Sequence, residues 1–152
     1  MSHEIDVLLR LLAAVAVGLV IGFNRDMQQK QLGMRTLAMV SLGAAIVTIA
    51  TLEHGNAMGY GPDAESRVVQ GIIQGILTGI GFIGAGVILH DVKSQQVYGL
   101  TTAATVWVTA ALGIACAITA WWLTLSGTVL CIFVLYGLGK LEAKFIPHKP
   151  DK

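Results

Sequence analysis

Two short polar sequences lie close together in this chain. Asn24-Arg25-Asp26 ends one apolar segment, and Arg35-Thr36 opens the next. Positive charge at the ends of apolar segments accounts for the two arginines, because such residues anchor membrane helices on the cytoplasmic side. It does not account for the asparagine and the aspartate beside them. The cluster therefore predicts either a lock between two helix ends or a polar gate.

A second polar pattern consists of Gln and Thr residues that recur every fourth position in two later apolar segments. Its members, with two of their neighbours, are Gln70, Gln74, Thr78, Thr101, Thr102, Thr105, Trp107 and Thr109. Residues four apart share one face of a helix. Structural hydrogen bonding accounts for such threonines, because their hydroxyls bond back to the carbonyl one turn earlier. The alternative is a polar seam that lines a path for a solute.

Glycines recur every fourth residue in the segment that carries the glutamines. They are Gly71, Gly75 and Gly79, followed by Gly81, Gly84 and Gly86. The spacing predicts a flat face that packs helices inside the bundle. The alternative is that the dense run loosens the helix near a functional cavity. The run also reads GxGxxG, but it lies inside an apolar segment rather than after a soluble strand, so it indicates no nucleotide site.

Residue sets typical of covalent catalysis do not occur in the sequence. There is no Ser/His/Asp or Cys/His set, no Walker-type loop and no spacing typical of metal ligands. We therefore expect no enzyme activity and no cofactor. The net charge of +1 provides no basic field of the kind that binds nucleic acid.

The composition is that of a membrane protein. The sequence is 55% hydrophobic and 12% charged, against about 25% charged residues in soluble domains. Residues 94–139 contain no Asp, Glu, Lys or Arg. A soluble domain of this size needs polar groups over most of its surface. The composition therefore predicts an integral membrane protein with the lipid bilayer as its main partner.

Helix length divides the apolar sequence into spans. Crossing a bilayer takes about 20 apolar residues. The last apolar stretch has 43 residues and would form a helix of about 65 Å, so it must contain two spans, with a hairpin near Thr119–Trp122. We predict an all-α protein with five transmembrane helices, at residues 5–23, 34–52, 68–89, 97–118 and 121–139.

The distribution of Lys and Arg predicts the orientation. Eight of the ten lie on the side shared by the first loop, the third loop and the tail, whereas Arg10 and Arg67 lie on the other. Positive residues favour the cytoplasm, so we expect the N-terminus outside and the C-terminus in the cytoplasm. Asp63 and Arg67 are then external. We predict one transmembrane domain, residues 1–140, and a short basic cytoplasmic tail, residues 141–152.

Four sequence blocks resemble the MgtC/SapB family of bacterial inner-membrane proteins. They occur in the family's order within about residues 8–115, and they are residues 18–26, 33–44, 74–89 and 99–113. The sequence departs from the family at Asn24, where relatives usually carry an acid before the arginine. It also resembles a short form that lacks the cytoplasmic C-terminal domain of many relatives.

The resemblance implies a multi-pass protein of the bacterial inner membrane that serves adaptation to low magnesium, in a family associated with virulence. It also implies a membrane-protein partner such as the F-type ATP synthase. We expect a homo-oligomer. Two functions remain open: a regulator that acts through membrane-protein partners, and a small oligomeric ion transporter or channel, with Mg²⁺ as the first candidate. Mg²⁺ requires oxygen ligands, and Asp26 is the one acid near the inner half of the spans, so the metal ligands remain unassigned.

Overall fold

The computed structural model describes residues 3–59, 61–91 and 96–138, which form a bundle of five helices. Their bounds are α1 His3–Met27, α2 Met34–Ala57, α3 Pro62–Val87, α4 Leu100–Ala117 and α5 Trp121–Ile132, and α5 continues as a π-helical segment, Phe133–Leu138. All five, with α5 taken through its continuation, are long and apolar enough to cross a membrane. The predicted all-α architecture with five spans is confirmed. The predicted tail, residues 141–152, and Lys93 lie outside the described residues.

The connection between α3 and α4 differs from the prediction. Residues 97–99 were expected in the fourth span, but β1, Leu89–Asp91, pairs with β2, Gln96–Tyr98, as an antiparallel hairpin. The fourth span begins only at Leu100. Short apolar runs suit a strand as well as a helix. Gly99, with φ of 88°, makes the turn into α4, and a side chain there would overlap the Val87 carbonyl oxygen.

α4 is the central helix of the bundle. In α4, 61% of the most apolar 18-residue stretch is buried inside the protein, whereas the corresponding share in the other spans is between 6% and 33%. The core consists of small and branched side chains from α1, α2 and α4, among them Ala14, Ile21, Ala45, Leu37, Val106 and Ala110. The low burial of α3 and α5 leaves both helices with broad outer surfaces.

The hairpin between α4 and α5 lies where the sequence predicts it. The backbone N–H of Ala120 donates to the Ala115 carbonyl at 3.0 Å, and that of Trp121 donates to the Thr119 carbonyl at 2.9 Å. Thr119 adopts a positive φ of 59°. The first of these bonds satisfies a carbonyl group in the last turn of α4, which lacks a partner inside the helix, and the second lies within the turn. The tight turn therefore sets α5 directly beside α4.

Glycines provide the close contacts among α1, α2 and α4. A Cβ atom added at Gly18 would lie 2.5 Å from the Cα of Ala38. One added at Gly113 in α4 would overlap the carbonyl oxygen of Ser41 in α2. Backbones can approach this closely only where no side chain intervenes. The inner contacts of the bundle thus depend on glycine at these positions.

Most of the glycines of α3 have open space beside them, contrary to the prediction. A Cβ atom at Gly71, Gly75 or Gly79 would meet no atom within 4 Å, and the same holds at Gly81 and Gly86. The prediction that this face packs inside the chain's own bundle is therefore wrong for the described residues. The prediction of a loosened helix is also wrong, because α3 is continuous from Pro62 to Val87.

Gly84 is the exception in α3. It is buried, and a Cβ atom there would lie 3.5 Å from the Cβ of Ala103 in α4. The final turn of α3 thus packs against the first turns of α4. The glycines before it lie on the outer surface.

Arg10 connects α1 to α4 at the opposite end of the bundle. It pairs with Asp6 one turn earlier, and its Nη1 donates to the Ala117 carbonyl at 3.0 Å. A cation at a helix C-terminus interacts favourably with the helix dipole. The N-terminal end of α1 therefore lies beside the C-terminal end of α4.

Candidate functional site

Arg25 is a buried cation at the end of α1. Its relative exposure is 2%, and its Nη2 donates to the Thr102 hydroxyl in α4. Its Nε is buried and has no hydrogen-bond partner in the described part of the chain. Among the side chains of residues 3–59, 61–88 and 97–138, no carboxylate forms an ion pair with it. Arg25 therefore joins α1 to α4 through a neutral partner.

Asp26, the next residue, joins α1 to α2 instead. Its Oδ2 accepts a hydrogen bond of 2.9 Å from the backbone N–H of Met34, the first residue of α2. The residue before it, Gly33, provides no side-chain cap, and a Cβ there would overlap the Asp26 carboxylate. The carboxylate satisfies an N–H that has no partner within α2, and its charge suits the N-terminal dipole.

The other residues of this cluster form no side-chain hydrogen bond or ion pair with another described helix. Asn24 accepts a hydrogen bond of 3.1 Å from Gln28. Arg35 is exposed and Thr36 is half-buried, and neither forms a side-chain hydrogen bond or ion pair with the described part of the chain. The geometry is that of two separate locks, Arg25–Thr102 and Asp26–Met34.

Asp26→Ala is expected to lower the free energy of unfolding by about 1 kcal/mol, because a helix N–H loses its acceptor. Asp26→Asn is the matched control, since it retains an acceptor oxygen, and we expect a smaller loss. Denaturant titration of the detergent-solubilised protein, followed by circular dichroism, measures both. Equal stability of Asp26→Ala and the wild type would contradict the capping role.

The threonines of α4 lie mainly in the core. Thr102, Thr105 and Thr109 are buried, whereas Thr101 is exposed. The Thr105 hydroxyl donates to the Thr101 carbonyl at 2.7 Å, and the Thr109 hydroxyl donates to the Thr105 carbonyl at 2.8 Å. Trp107 is 48% exposed on the outer side. These back-bonds satisfy the hydroxyls inside the helix itself.

The polar residues of α3 lie on its outer surface. Gln70, Gln74 and Thr78 are all exposed. The Thr78 hydroxyl donates to the Gln74 carbonyl at 2.7 Å, but neither glutamine side chain has a hydrogen-bond partner among the described residues. Both line an open depression of about 680 Å³ that begins at Glu65. The glutamines of α3 and the buried threonines of α4 therefore do not form one continuous seam.

The predicted external residues lie at the start of α3. Asp63 is in the first turn, directly after Pro62 at the first helical position, and its charge suits the helix dipole. Arg67 lies one turn later, and both side chains are exposed. Neither forms an ion pair with another described residue.

Sequence reasoning missed two features of the interior. Ser41 is fully buried in α2, and its hydroxyl has no hydrogen-bond partner among the residues that the structure describes. Its carbonyl lies against Gly113 of α4. Nothing in the spacing of these residues predicts this contact. Gly18 and Gly22 do carry a signal of a close helix contact, because glycines four residues apart are typical of helix packing.

Comparison with known proteins assigns the family. The model of the MgtC family matches residues 11–144. Protein SrpB of Synechococcus elongatus is 38% identical over 88% of this chain and 75% of its own length. Protein MgtC of Salmonella typhimurium is 36% identical over 82% of this chain, which spans about half, 49%, of that relative. No solved structure matches the chain. With five membrane-spanning helices and a family match over most of its length, the chain belongs to the MgtC family.

Proposed function

We propose that this chain is a membrane regulator that acts by binding other membrane proteins, in adaptation to low magnesium. It would lie in the bacterial inner membrane with its N-terminus outside. The resemblance to MgtC/SapB proteins supports this role and names the F-type ATP synthase as one class of partner. A homo-oligomer would present the same surface more than once.

The observation that carries the proposal is the outer surface of α3. We define the glycine–glutamine face as Gln70, Gly71, Gln74, Gly75, Thr78 and Gly79. All six are exposed, and the three glycines leave open space beside the backbone. In a membrane, small residues let a second helix approach closely, and glutamines form hydrogen bonds across the contact. Lipid tails cannot satisfy the glutamine side chains, so this face favours a protein partner.

Gly75→Leu tests the role of this face. A Cβ atom at Gly75 would meet no atom of another helix within 4 Å, so leucine would occupy the open surface at this position. We expect normal insertion but loss of function, down to the level of an empty vector, in a low-magnesium growth assay with a deletion strain. The matched control is Gly43→Leu, because a Cβ atom at Gly43 in α2 would also meet no atom of another helix within 4 Å. This control should support growth as the wild type does.

Two outcomes would contradict the proposal. Full growth of the Gly75→Leu strain would exclude the glycine–glutamine face. Mg²⁺ uptake into proteoliposomes that contain the purified protein, lost in Asp26→Asn or Arg35→Ala variants that still insert, would make the chain a transporter. Absence of flux above empty liposomes, with folded protein, agrees with the regulator.

A further inference from the structure

Among the side chains that the structure describes, none forms an ion pair with Arg25. The Arg25 side chain is almost fully buried, its described acceptor is the neutral Thr102 hydroxyl, and its Nε has no hydrogen-bond partner among these side chains or the described backbone. Removing an arginine from water costs several kcal/mol unless an anion compensates the charge. A guanidinium has five N–H donors, so an anion that enters between the elements covering Arg25 can bind it without displacing Thr102.

The start of α4 adds to the positive charge at this place. Thr102 lies in the first turn of α4, which contains no acidic residue, and Gly99 before it provides no side-chain cap. The first N–H groups of a helix have no partners within it and carry partial positive charge. A guanidinium beside such a helix end favours a phosphate, which accepts hydrogen bonds from both groups.

An apolar groove begins beside this positive end. It lies between α4 and α5, has a volume of about 300 Å³, and is lined by residues including Thr101, Ala104, Cys131 and Leu135. Thr101 is adjacent to Thr102, and Cys131 and Leu135 pack against the buried cluster that contains Ile21, one turn before Arg25. The groove wall therefore adjoins the residues around Arg25 and Thr102, although neither of these two side chains lines the groove itself.

We propose that Arg25 and the first turn of α4 bind the phosphate of an anionic phospholipid, with one acyl chain of that lipid in the α4–α5 groove. A phospholipid is the ligand that uses both features, because free phosphate would leave the groove unused. Arg25 lies two residues before the end of α1 at Met27. The end of a span lies near the headgroup region, where lipid phosphates are found. This lipid site is separate from the glycine–glutamine face of α3.

The test measures thermal unfolding of the full chain, purified in detergent, with three additives. They are dioleoylphosphatidylglycerol, dioleoylglycerol, which has the same acyl chains without phosphate, and inorganic phosphate. A ligand that binds the folded state raises Tm, and we expect an increase of about 5 °C with the phospholipid and much less with the other two. Arg25→Gln should lose this increase. Arg35→Gln, which removes an exposed arginine at the same end, should retain it.

A variant in the α4–α5 groove tests the binding of the acyl chain. Ala104→Phe places a bulky side chain at an exposed position of the groove wall, and it should reduce the effect of the phospholipid. An equal increase with dioleoylglycerol would overturn the role of the phosphate. An equal increase with inorganic phosphate would show a site for free anions and overturn the lipid. Retention of the full increase in Arg25→Gln or in Ala104→Phe would overturn the assignment of that part of the site.

A second measurement uses the wild type and so does not depend on the folding of Arg25→Gln. Mass spectrometry of lipids that co-purify with the protein should find anionic phospholipids enriched over their share of the source membrane. Arg25→Lys, which keeps the charge but loses the planar guanidinium, should reduce this enrichment. A lipid composition equal to that of the bulk membrane in the wild type would overturn the proposal.

Discussion

Gly22→Leu is expected to prevent stable folding of this chain. A Cβ atom at residue 22 would overlap the Cα of Met34 and lie 2.7 Å from the Met34 nitrogen. Overpacking of side chains costs about 1–3 kcal/mol, and here the obstacle is backbone, which cannot move to another rotamer. α1 and α2 would have to separate. The hydrogen bond from the Met34 N–H to the Asp26 carboxylate would then be lost.

Circular dichroism in mixed micelles with a rising fraction of dodecyl sulfate measures this loss. Gly22→Leu should lose its helical signal at a much lower sulfate fraction than the wild type does. Gly43→Leu is the control, because it adds the same side chain at a helix position where a Cβ atom would meet no atom of another helix within 4 Å. Identical unfolding curves for Gly22→Leu and the wild type would show that the α1–α2 contact is not close at this residue.

Thr102→Val is the second large effect that we expect. Valine keeps the shape of threonine but removes the hydroxyl that accepts a hydrogen bond from Arg25. A buried charged donor would then lose its described acceptor, which costs about 1.5–3 kcal/mol. The same titration in mixed micelles measures the loss of unfolding free energy.

A double-mutant cycle isolates this interaction. In an Arg25→Met background the guanidinium is absent, so Thr102→Val should cost less than about 0.5 kcal/mol, and the difference between the two backgrounds is the coupling energy. Thr109→Val is a useful comparison, because that buried hydroxyl bonds only to the Thr105 carbonyl of its own helix. If Thr102→Val lowered the free energy of unfolding equally in both backgrounds, Arg25 would not be the partner of Thr102.

Much of the architecture follows from composition and length alone. Bilayer thickness sets how many apolar residues a span requires, so the number of helices and the hairpin at Thr119 could be predicted without tertiary information. The start of α4 could not. Val97 and Tyr98 are apolar enough for a span, and only pairing with the strand before them makes them a strand.

The glycine patterns show where spacing alone is insufficient. Gly18 and Gly22 in α1 have the same spacing as Gly71 and Gly75 in α3, and each pair predicts a flat helix face. The first pair lies against α2, whereas the second leaves open space. Which face is covered depends on the rotation of each helix about its axis, and that rotation is set by contacts between distant parts of the chain.

For the candidate sites too, some features follow from the sequence and others only from the tertiary structure. The sequence by itself determined a five-helix membrane protein, the positions of its polar residues along each helix, and its resemblance to a family, because these depend on local composition and order. Only the tertiary structure decided that Arg25 is buried against Thr102, that Asp26 caps α2, and that the glutamines of α3 face outward. Each of these contacts joins residues of different helices or depends on how a helix faces its neighbours, and helical periodicity carries no information about the neighbour.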